Sequence, residues 1–420
     1  MADRDLQSSL TAADWAESGL MALTGRPGGP GLGPPAALLV GVRAWADNIA
    51  TRTERWGRPV AVDPLGLVAE RAAAGGLRRG GDVSCGGASR LVPCADGWTA
   101  VTLARPSDWE LVAALLGRSR PVDPGDWPTL ASGLARLTGH RVRSGAELLG
   151  LPLAVLGERR SSGDAGRNGG GTTAGIRTRR LRSAVPITDP AGLVVADLSS
   201  LWAGPLVGRL LHRAGARVVK IESRWRPDGA RNGDPGFYTL LNGGKESVAL
   251  DFRAEAGRQQ LRRILSHADV VITAARPRAL EQLGLDPEEM ILSRRPRVWL
   301  SITGYGHSPG SRERVAFGDD AAVAGGLVAW DDLGPCFCGD AIADPLTGLA
   351  ASAAVTAALD SDGAWVIEAS MADLAGGLTG PAVPMEGCHP AAPALWQLPG
   401  EARAAPLGAD TDAVLAGLDS

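Results

Sequence analysis

Short apolar runs alternate with helical periods along the second half of the chain. Leu193-Val-Val-Ala-Asp-Leu198 is a continuous apolar stretch of the length expected of a buried strand. Pro205 to Ala214 then carries apolar residues at helical spacing. Arg217-Val-Val-Lys-Ile-Glu222 and Ser247-Val-Ala-Leu-Asp251 predict a second and a third strand. Glu255 to Ser266 predicts a helix, Asp269 to Ile272 a strand, Arg278 to Leu283 a helix and Val298 to Ile302 a strand. An Ala-rich helical pattern runs from Leu349 to Leu359. Strands alternating with helices imply a parallel sheet covered on both faces. Right-handed crossovers make this a Rossmann-like doubly wound α/β fold.

The first half is less regular. Helical patterns over residues 10–75 are broken by a Gly/Pro stretch from Arg26 to Pro35. Pro59 to Val62 is a strand candidate and Leu65 to Ala74 a helix. Residues 80–158 read as a small α/β unit, with Gly97 to Leu103 alternating like a strand. Ser107 and Glu110 have the spacing of a capping box. Residues 159–185 are rich in Gly, Ser and Arg without an apolar period, and predict a flexible linker. Gly169-Gly-Gly171 within it is a candidate lid.

Two stretches, residues 14–70 and 321–376, repeat one another weakly. Ser18-Gly-Leu-Met-Ala22 lines up with Gly325-Gly-Leu-Val-Ala329, and Gly41 with Gly348. Val60-Ala-Val62 matches Val366-Ile-Glu368 after a one-residue shift. Ala37 in the first copy stands where the second has Asp344.

Composition narrows the classes. A chain of 420 residues allows two or three domains. With 43 basic and 46 acidic residues, the net charge is −3, which gives no signal for nucleic acid. Five cysteines, an odd number, point to a reducing compartment. The polar start and the lack of any 18-residue apolar run predict a soluble cytoplasmic protein with no membrane partner. Trp202-Ala-Gly-Pro205 follows the first strand where a dinucleotide site would have Gly-x-Gly-x-x-Gly, so no NAD is expected. Cys336, Cys338 and Asp340 have no second ligand cluster, so no metal is expected.

Asp344 sits between an apolar segment and the Ala-rich helix, with Pro345 after it. One reading is a helix N-cap with proline at the first helical position. The other is a fixed, ionised carboxylate at a helix mouth, suited to act as a nucleophile. A capping role would be useful in both copies of the repeat, so Ala37 favours chemistry.

From Leu193 to Gly377 the chain resembles the class III CoA-transferases, the family that includes formyl-CoA transferase and α-methylacyl-CoA racemase. The motifs occur in the family's order. They are Asp197-Leu-Ser … Ala203-Gly-Pro205, then Gly215-Ala-Arg-Val-Val-Lys-Ile-Glu222, Leu241-Asn-Gly-Gly-Lys245, Arg276-Pro277, Ser301-Ile-Thr-Gly-Tyr-Gly306 and Ala343-Asp-Pro-Leu-Thr-Gly348. The tail Pro406 to Leu415 is similar to the family's closing segment, and residues 95–117 to a piece of its small domain placed earlier in the chain. Thr273-Ala274-Ala275 stands where the family has Glu-Asn-Phe.

The resemblance implies the following organisation. Residues 1–75 are a degenerate partial repeat of the large domain and 76–158 a small α/β domain. Residues 159–185 are the linker, 186–380 the catalytic large domain, and 381–420 a tail packed back on it. It implies Asp344 as nucleophile, with Ser199, Ala203, Arg224, Arg276 and Gly304 toward coenzyme A, bound as the acyl-CoA substrate. The start of the helix at Leu346 to Gly348 is the expected source of oxyanion donors. The implied reaction moves CoA between an acyl-CoA and a carboxylic acid through an aspartyl covalent intermediate, in an interlocked homodimer. The alternatives are an acyl-CoA racemase, for which Phe317-Gly-Asp-Asp320 has no His, and a non-catalytic CoA-ester-binding protein.

Overall fold

The computed structural model describes residues 9–159, 173–293, 295–394 and 402–418. In chain order the strands are β1 (Ser89–Cys94), β2 (Gly97–Thr102), β3 (Leu153–Val155), β4 (Ile176–Ser183), β5 (Val194–Asp197), β6 (Arg217–Ser223), β7 (Glu246–Leu250), β8 (Val270–Thr273), β9 (Val298–Thr303), β10 (Val328–Asp331), β11 (Gly334–Phe337) and β12 (Gly363–Ser370). The main sheet has the order β4-β12-β9-β8-β5-β6-β7. All its pairings are parallel except that of β4, which runs antiparallel to β12 at the edge. The chain winds outward from β5 to β7, then returns to the other side of β5 at β8. This doubly wound order puts a topological switch point between β5 and β8.

Period-two alternation along the strands feeds two cores. Val195, Val218, Val270, Ile272 and Leu300 face one layer of helices; Ala196, Val219, Val271 and Trp299 face the other. The second layer holds the helices Glu255–His267 and Pro287–Ser293. The first layer holds Ala203–Arg213, Gly318–Gly325, Ala343–Leu359 and Met371–Gly377, together with Ala36–Arg55 and Pro64–Gly75 from the N-terminal stretch. The N-terminal helices thus share one core with the sheet. The small sheet β1-β2-β3 has a core of its own with the helices Trp127–Leu134 and Gly139–Leu149. At the other end of the chain, Asp410 accepts the Ser247 N–H at 2.8 Å, which seats the helix Thr411–Ala416 against β7.

Three local expectations change. Residues 176–183, within the expected linker, form β4; four arginines stand in this edge strand, which has no apolar period. Pro59 to Val62 pairs with no strand among the described residues. The helix at 106 is closed by Asp108, whose Oδ2 accepts the Arg105 N–H at 3.0 Å, so Ser107 is not its cap. The candidate lid Gly169–Gly171 lies outside the described residues.

Several local backbone features of the two stretches coincide without a one-residue shift. At one constant spacing along the chain, Gly19 matches Gly326, both left-handed with φ 87°. Ala36 matches Ala343 as the first residue of a long helix. Asp63 matches Ser370 as an N-cap accepting the N–H three residues on, from Gly66 and Asp373. The two long helices, Ala36–Arg55 and Ala343–Leu359, pack on one another.

Candidate active site

The long helix starts at Ala343, after Ile342 in helical conformation. Asp344 is therefore inside the first turn and does not cap its own helix. The turn before it is strained: Ala341 has φ 42°, and its carbonyl accepts the Asp344 N–H at 2.9 Å. From Pro335 to Ala353 every residue but Asp344 is buried, and Asp344 is partly exposed.

Its carboxylate is met instead by the backbone N–H groups of Gly318 and Ala203. Each is the first residue of a helix, Gly318–Gly325 and Ala203–Arg213. Together with its own helix, three helix N-termini converge on one carboxylate, and their partial positive charge favours its anion. The Leu346 N–H, expected as an oxyanion donor, is taken by the Ile342 carbonyl at 3.2 Å. The N–H groups of Gly318 and Ala203 are better placed for that role.

A buried polar network holds the Ala203 turn. Lys245 pairs with Asp197 at 2.9 Å and Lys220 with Asp228 at 2.9 Å, all four side chains nearly free of solvent. Lys220 also donates to the Ser199 carbonyl at 3.0 Å, and Asp228 accepts the Leu201 N–H at 3.0 Å. Burial pushes Asp197 upward, but Lys245 and Lys220 outweigh it and hold the group below its ordinary value. Leu201 has φ 68°. It and Ala341 are the two non-glycine residues with positive φ among the described residues; Ala341 comes three residues before Asp344, and Leu201 two before Ala203. Strain of this kind persists where surrounding structure enforces it.

Other carboxyls crowd the site. Asp319 accepts the Ala341 N–H at 3.0 Å and the Ser89 hydroxyl at 2.9 Å. Asp340 pairs with Arg71 at 3.0 Å. Burial pushes Asp344 up to about 7, with Asp319 adding to the shift; Arg71 and the two N–H groups oppose it. Burial likewise raises Asp340 to about 6 and Asp319 above its ordinary value. Asp320, further along, is raised by burial to about 7 while it accepts from Phe317 N–H and Thr102 Oγ1. Such an arrangement offers a partly accessible carboxylate that changes charge near neutrality, with N–H donors ready for a developing oxyanion.

The other candidates are scattered along the carboxyl side of the sheet. Ala203 is brought to Asp344. Ser199 lies in the same turn, but its hydroxyl donates to Asp197 and is buried. Arg224 and Arg276 are exposed at the ends of β6 and β8, Arg224 near Asp251. Neither makes a hydrogen bond or ion pair with Asp344 among the described residues. Gly304 follows β9, and its carbonyl accepts the Ala372 N–H at 3.0 Å. Cys336 lies against Asp331 and Cys338 near Thr24, so the two thiols do not converge. Among the described residues no His/Cys/Asp/Glu group could hold a metal ion, and no helix is long and apolar enough to cross a membrane. Arg71, Asp319 and Ser89 escape a motif reading, because the fold brings them in from distant segments.

Residues 191–395 match the model of CoA-transferase family III. The chain is 29% identical over 175 residues to succinyl-CoA–D-citramalate CoA-transferase of Chloroflexus aurantiacus, covering 39% of this chain and 44% of that protein. It is 38% identical over 138 residues to the probable fatty acyl-CoA transferase Rv3272 of Mycobacterium tuberculosis, covering 29% and 34%. To human succinyl-CoA:glutarate CoA-transferase it is 29% identical over 216 residues, covering 49% of each chain. The match thus spans less than half the length of these relatives. The crystal structure of Rv3272 aligns with a TM-score of 0.42 at 31% identity, over 46% of this chain and 56% of that one.

Proposed function

From the match of residues 191–395 to CoA-transferase family III, we propose that the chain moves CoA between an acyl-CoA and a carboxylic acid with Asp344 as nucleophile. The observation that carries this is the placement of one carboxylate. Asp344 is the accessible residue in a buried run, it faces two helix-terminal N–H groups, and it does not cap its own helix.

The steps follow from that placement. The Asp344 carboxylate attacks the thioester carbonyl, the carbon–sulfur bond breaks, and an acyl-aspartyl anhydride forms with CoA thiolate. The thiolate attacks the Asp344 carbonyl of the anhydride, releasing the donor acid and leaving an aspartyl-CoA thioester. The acceptor carboxylate attacks this thioester, giving a new anhydride and thiolate. The thiolate then attacks the acceptor's carbonyl, forming the new acyl-CoA and restoring the Asp344 carboxylate. Covalent catalysis divides one exchange into four acyl transfers. The N–H groups of Gly318 and Ala203 face the oxyanion of each tetrahedral intermediate on the Asp344 carbon.

CoA lies along the carboxyl ends of β5, β6 and β8, past the switch point. Ala203, Arg224, Arg276 and Gly304 line that approach, with the arginines available to phosphate. The Ser199 hydroxyl holds Asp197 and contributes through the turn. Two-base proton transfer is the weaker reading. The groups acting on Asp344 are Arg71, Asp319 and backbone N–H, while His307 lies 3.6 Å from Glu368.

The test is a panel of acetyl-, succinyl- and octanoyl-CoA with acetate, succinate and glutarate, in the presence and absence of hydroxylamine. Exchange between an acyl-CoA and an acid, with a hydroxamate found on Asp344 by peptide mass spectrometry, is the expected result. Full exchange by Asp344→Ala, or no adduct on Asp344 during turnover, would sink the proposal.

A further inference from the structure

The two copies of the internal repeat differ in charge at two linked places. At the constant spacing that relates Ala36 to Ala343 and Pro64 to Met371, Ala37 corresponds to Asp344 and Arg71 to Leu378. Arg71, from the last helix of the first copy, reaches across to the Asp344 site. Leu378, from the end of the second copy, reaches back to the first: its Cδ2 lies where a Cβ on Gly41, one turn beyond Ala37, would stand 2.9 Å away. One half-site therefore holds an aspartate and an arginine, and its counterpart an alanine and a leucine. The two charges occur together or not at all.

Arg71 is also placed to receive a ligand. Its Nη1 donates to Asp340 at 3.0 Å, and its guanidinium lies 5.9 Å from the Trp202 ring centre, beside the turn that presents the Ala203 N–H. The side chain is 33% exposed, so donors remain open. Gly86 makes room for it, since a Cβ there would be 3.0 Å from Nη2. Asp319, Asp340 and Asp344 all face this space with the Cys85 thiol, and Arg71 is the cation common to all three carboxyls. An incoming acid anion meets carboxylates here, and repulsion would exclude it without a compensating cation.

Resting on the CoA-transfer reading, we propose that Arg71 binds the reacting carboxylate of the acceptor acid and holds it against the aspartyl thioester at Asp344. A guanidinium fork matches a carboxylate through two parallel N–H···O bonds. The acid's oxygen then attacks the thioester carbonyl, the carbon–sulfur bond breaks, and CoA leaves as thiolate. Arg71 neither gains nor loses a proton in the step.

The experiment compares a charged with an uncharged nucleophile. The acyl-CoA and acid pair most active in the panel above is used at about pH 9, above the value of about 7 to which Asp344 is raised, and both readouts start from the same Asp344 anion, so a change in its ionisation affects them alike. Transfer to the acid and hydroxamate formation on Asp344 are measured side by side for wild type, Arg71→Met and Arg71→Lys. The expected result is a loss of acid transfer in Arg71→Met larger than its loss of hydroxamate formation by about tenfold to a hundredfold, expressed in KM for the acid. Arg71→Lys, which keeps the charge and loses the fork, falls between. Equal losses for the two nucleophiles in both variants overturn the assignment, as does an unchanged KM for the acid. A wild type that forms no hydroxamate on Asp344 overturns the CoA-transfer reading itself. If Arg71→Met does not fold, the Arg71→Lys comparison decides by the same criterion.

Discussion

A Cβ on Gly318 would stand 2.5 Å from Oδ2 of Asp344 and collide with the carbonyl of Ala341. The glycine is therefore what lets a helix N-terminus close directly on the carboxylate. Gly318→Ala must push the N–H away or displace the strained Ala341 turn. Misplacement of about 1 Å at a reacting group lowers rates by about a hundredfold. The variant should fold, bind acyl-CoA, and show kcat reduced on that scale, which stopped-flow measurement of CoA release would detect.

Replacing Asp344 by Asn separates chemistry from stability. Covalent adduct should vanish and turnover fall by about a thousandfold or more. The protein should at the same time become more stable at alkaline pH. The folded-state pKa is raised to about 7, so the native protein holds this proton more tightly than the unfolded chain. The stability linked to that proton is lost as pH rises from about 4 through 7. Above pH 7 the wild type carries a poorly solvated anion, and Asp344→Asn removes it. A Tm increase of about 2–4 °C at pH 8, shrinking toward zero near pH 4, is expected by calorimetry. Equal Tm values at pH 8 would contradict it.

The parallel strands were legible because burial on both faces writes a continuous apolar run, as in Leu193 to Leu198 and Val298 to Ile302. β4 was not, since an edge strand bearing four arginines has the composition of a linker. Asp344-Pro345 has the pattern of an N-cap followed by proline. The helix nevertheless begins at Ala343, because the left-handed Ala341 turns the chain early. No local pattern marks Arg71, Asp319 or Ser89 as neighbours of Asp344, for the fold joins segments far apart in sequence; Asp340, four residues before Asp344, is near it along the chain. The repeat held the one available signal: an ungapped alignment of Gly19 with Gly326 sets Arg71 against Leu378, and Ala37 against Asp344, as a pair of matched charge losses.

The strained turn at Leu201 depends on a buried ion pair. Lys220 and Asp228 have side chains 2% and 0% exposed, and Asp228 holds the Leu201 N–H. Removing one partner leaves the other charge buried without compensation, at a cost of about 3–5 kcal/mol. Lys220→Met should lower stability on that scale in urea unfolding. Lys220→Met with Asp228→Asn, which retains an acceptor for Leu201, should recover much of the loss. A double variant no more stable than the single one would show that the pair does not act as a unit.

The pH dependence of acyl transfer tests the electrostatics of the whole cluster. Attack requires the anion, so kcat/KM should rise with pH and level off above an apparent pKa near 7, the value to which burial and Asp319 raise Asp344. Asp319 and Asp340 titrate in the same space, so the observed value belongs to the group of carboxyls together. Asp319→Asn keeps an acceptor for the Ala341 N–H while it removes a negative neighbour, so the limb should move to lower pH. Arg71→Met removes the opposing cation, so the limb should move to higher pH. Shifts of opposite sign in these two variants are required by the arrangement. If both move the limb the same way, or neither moves it, Asp344 is not the group whose ionisation limits the reaction.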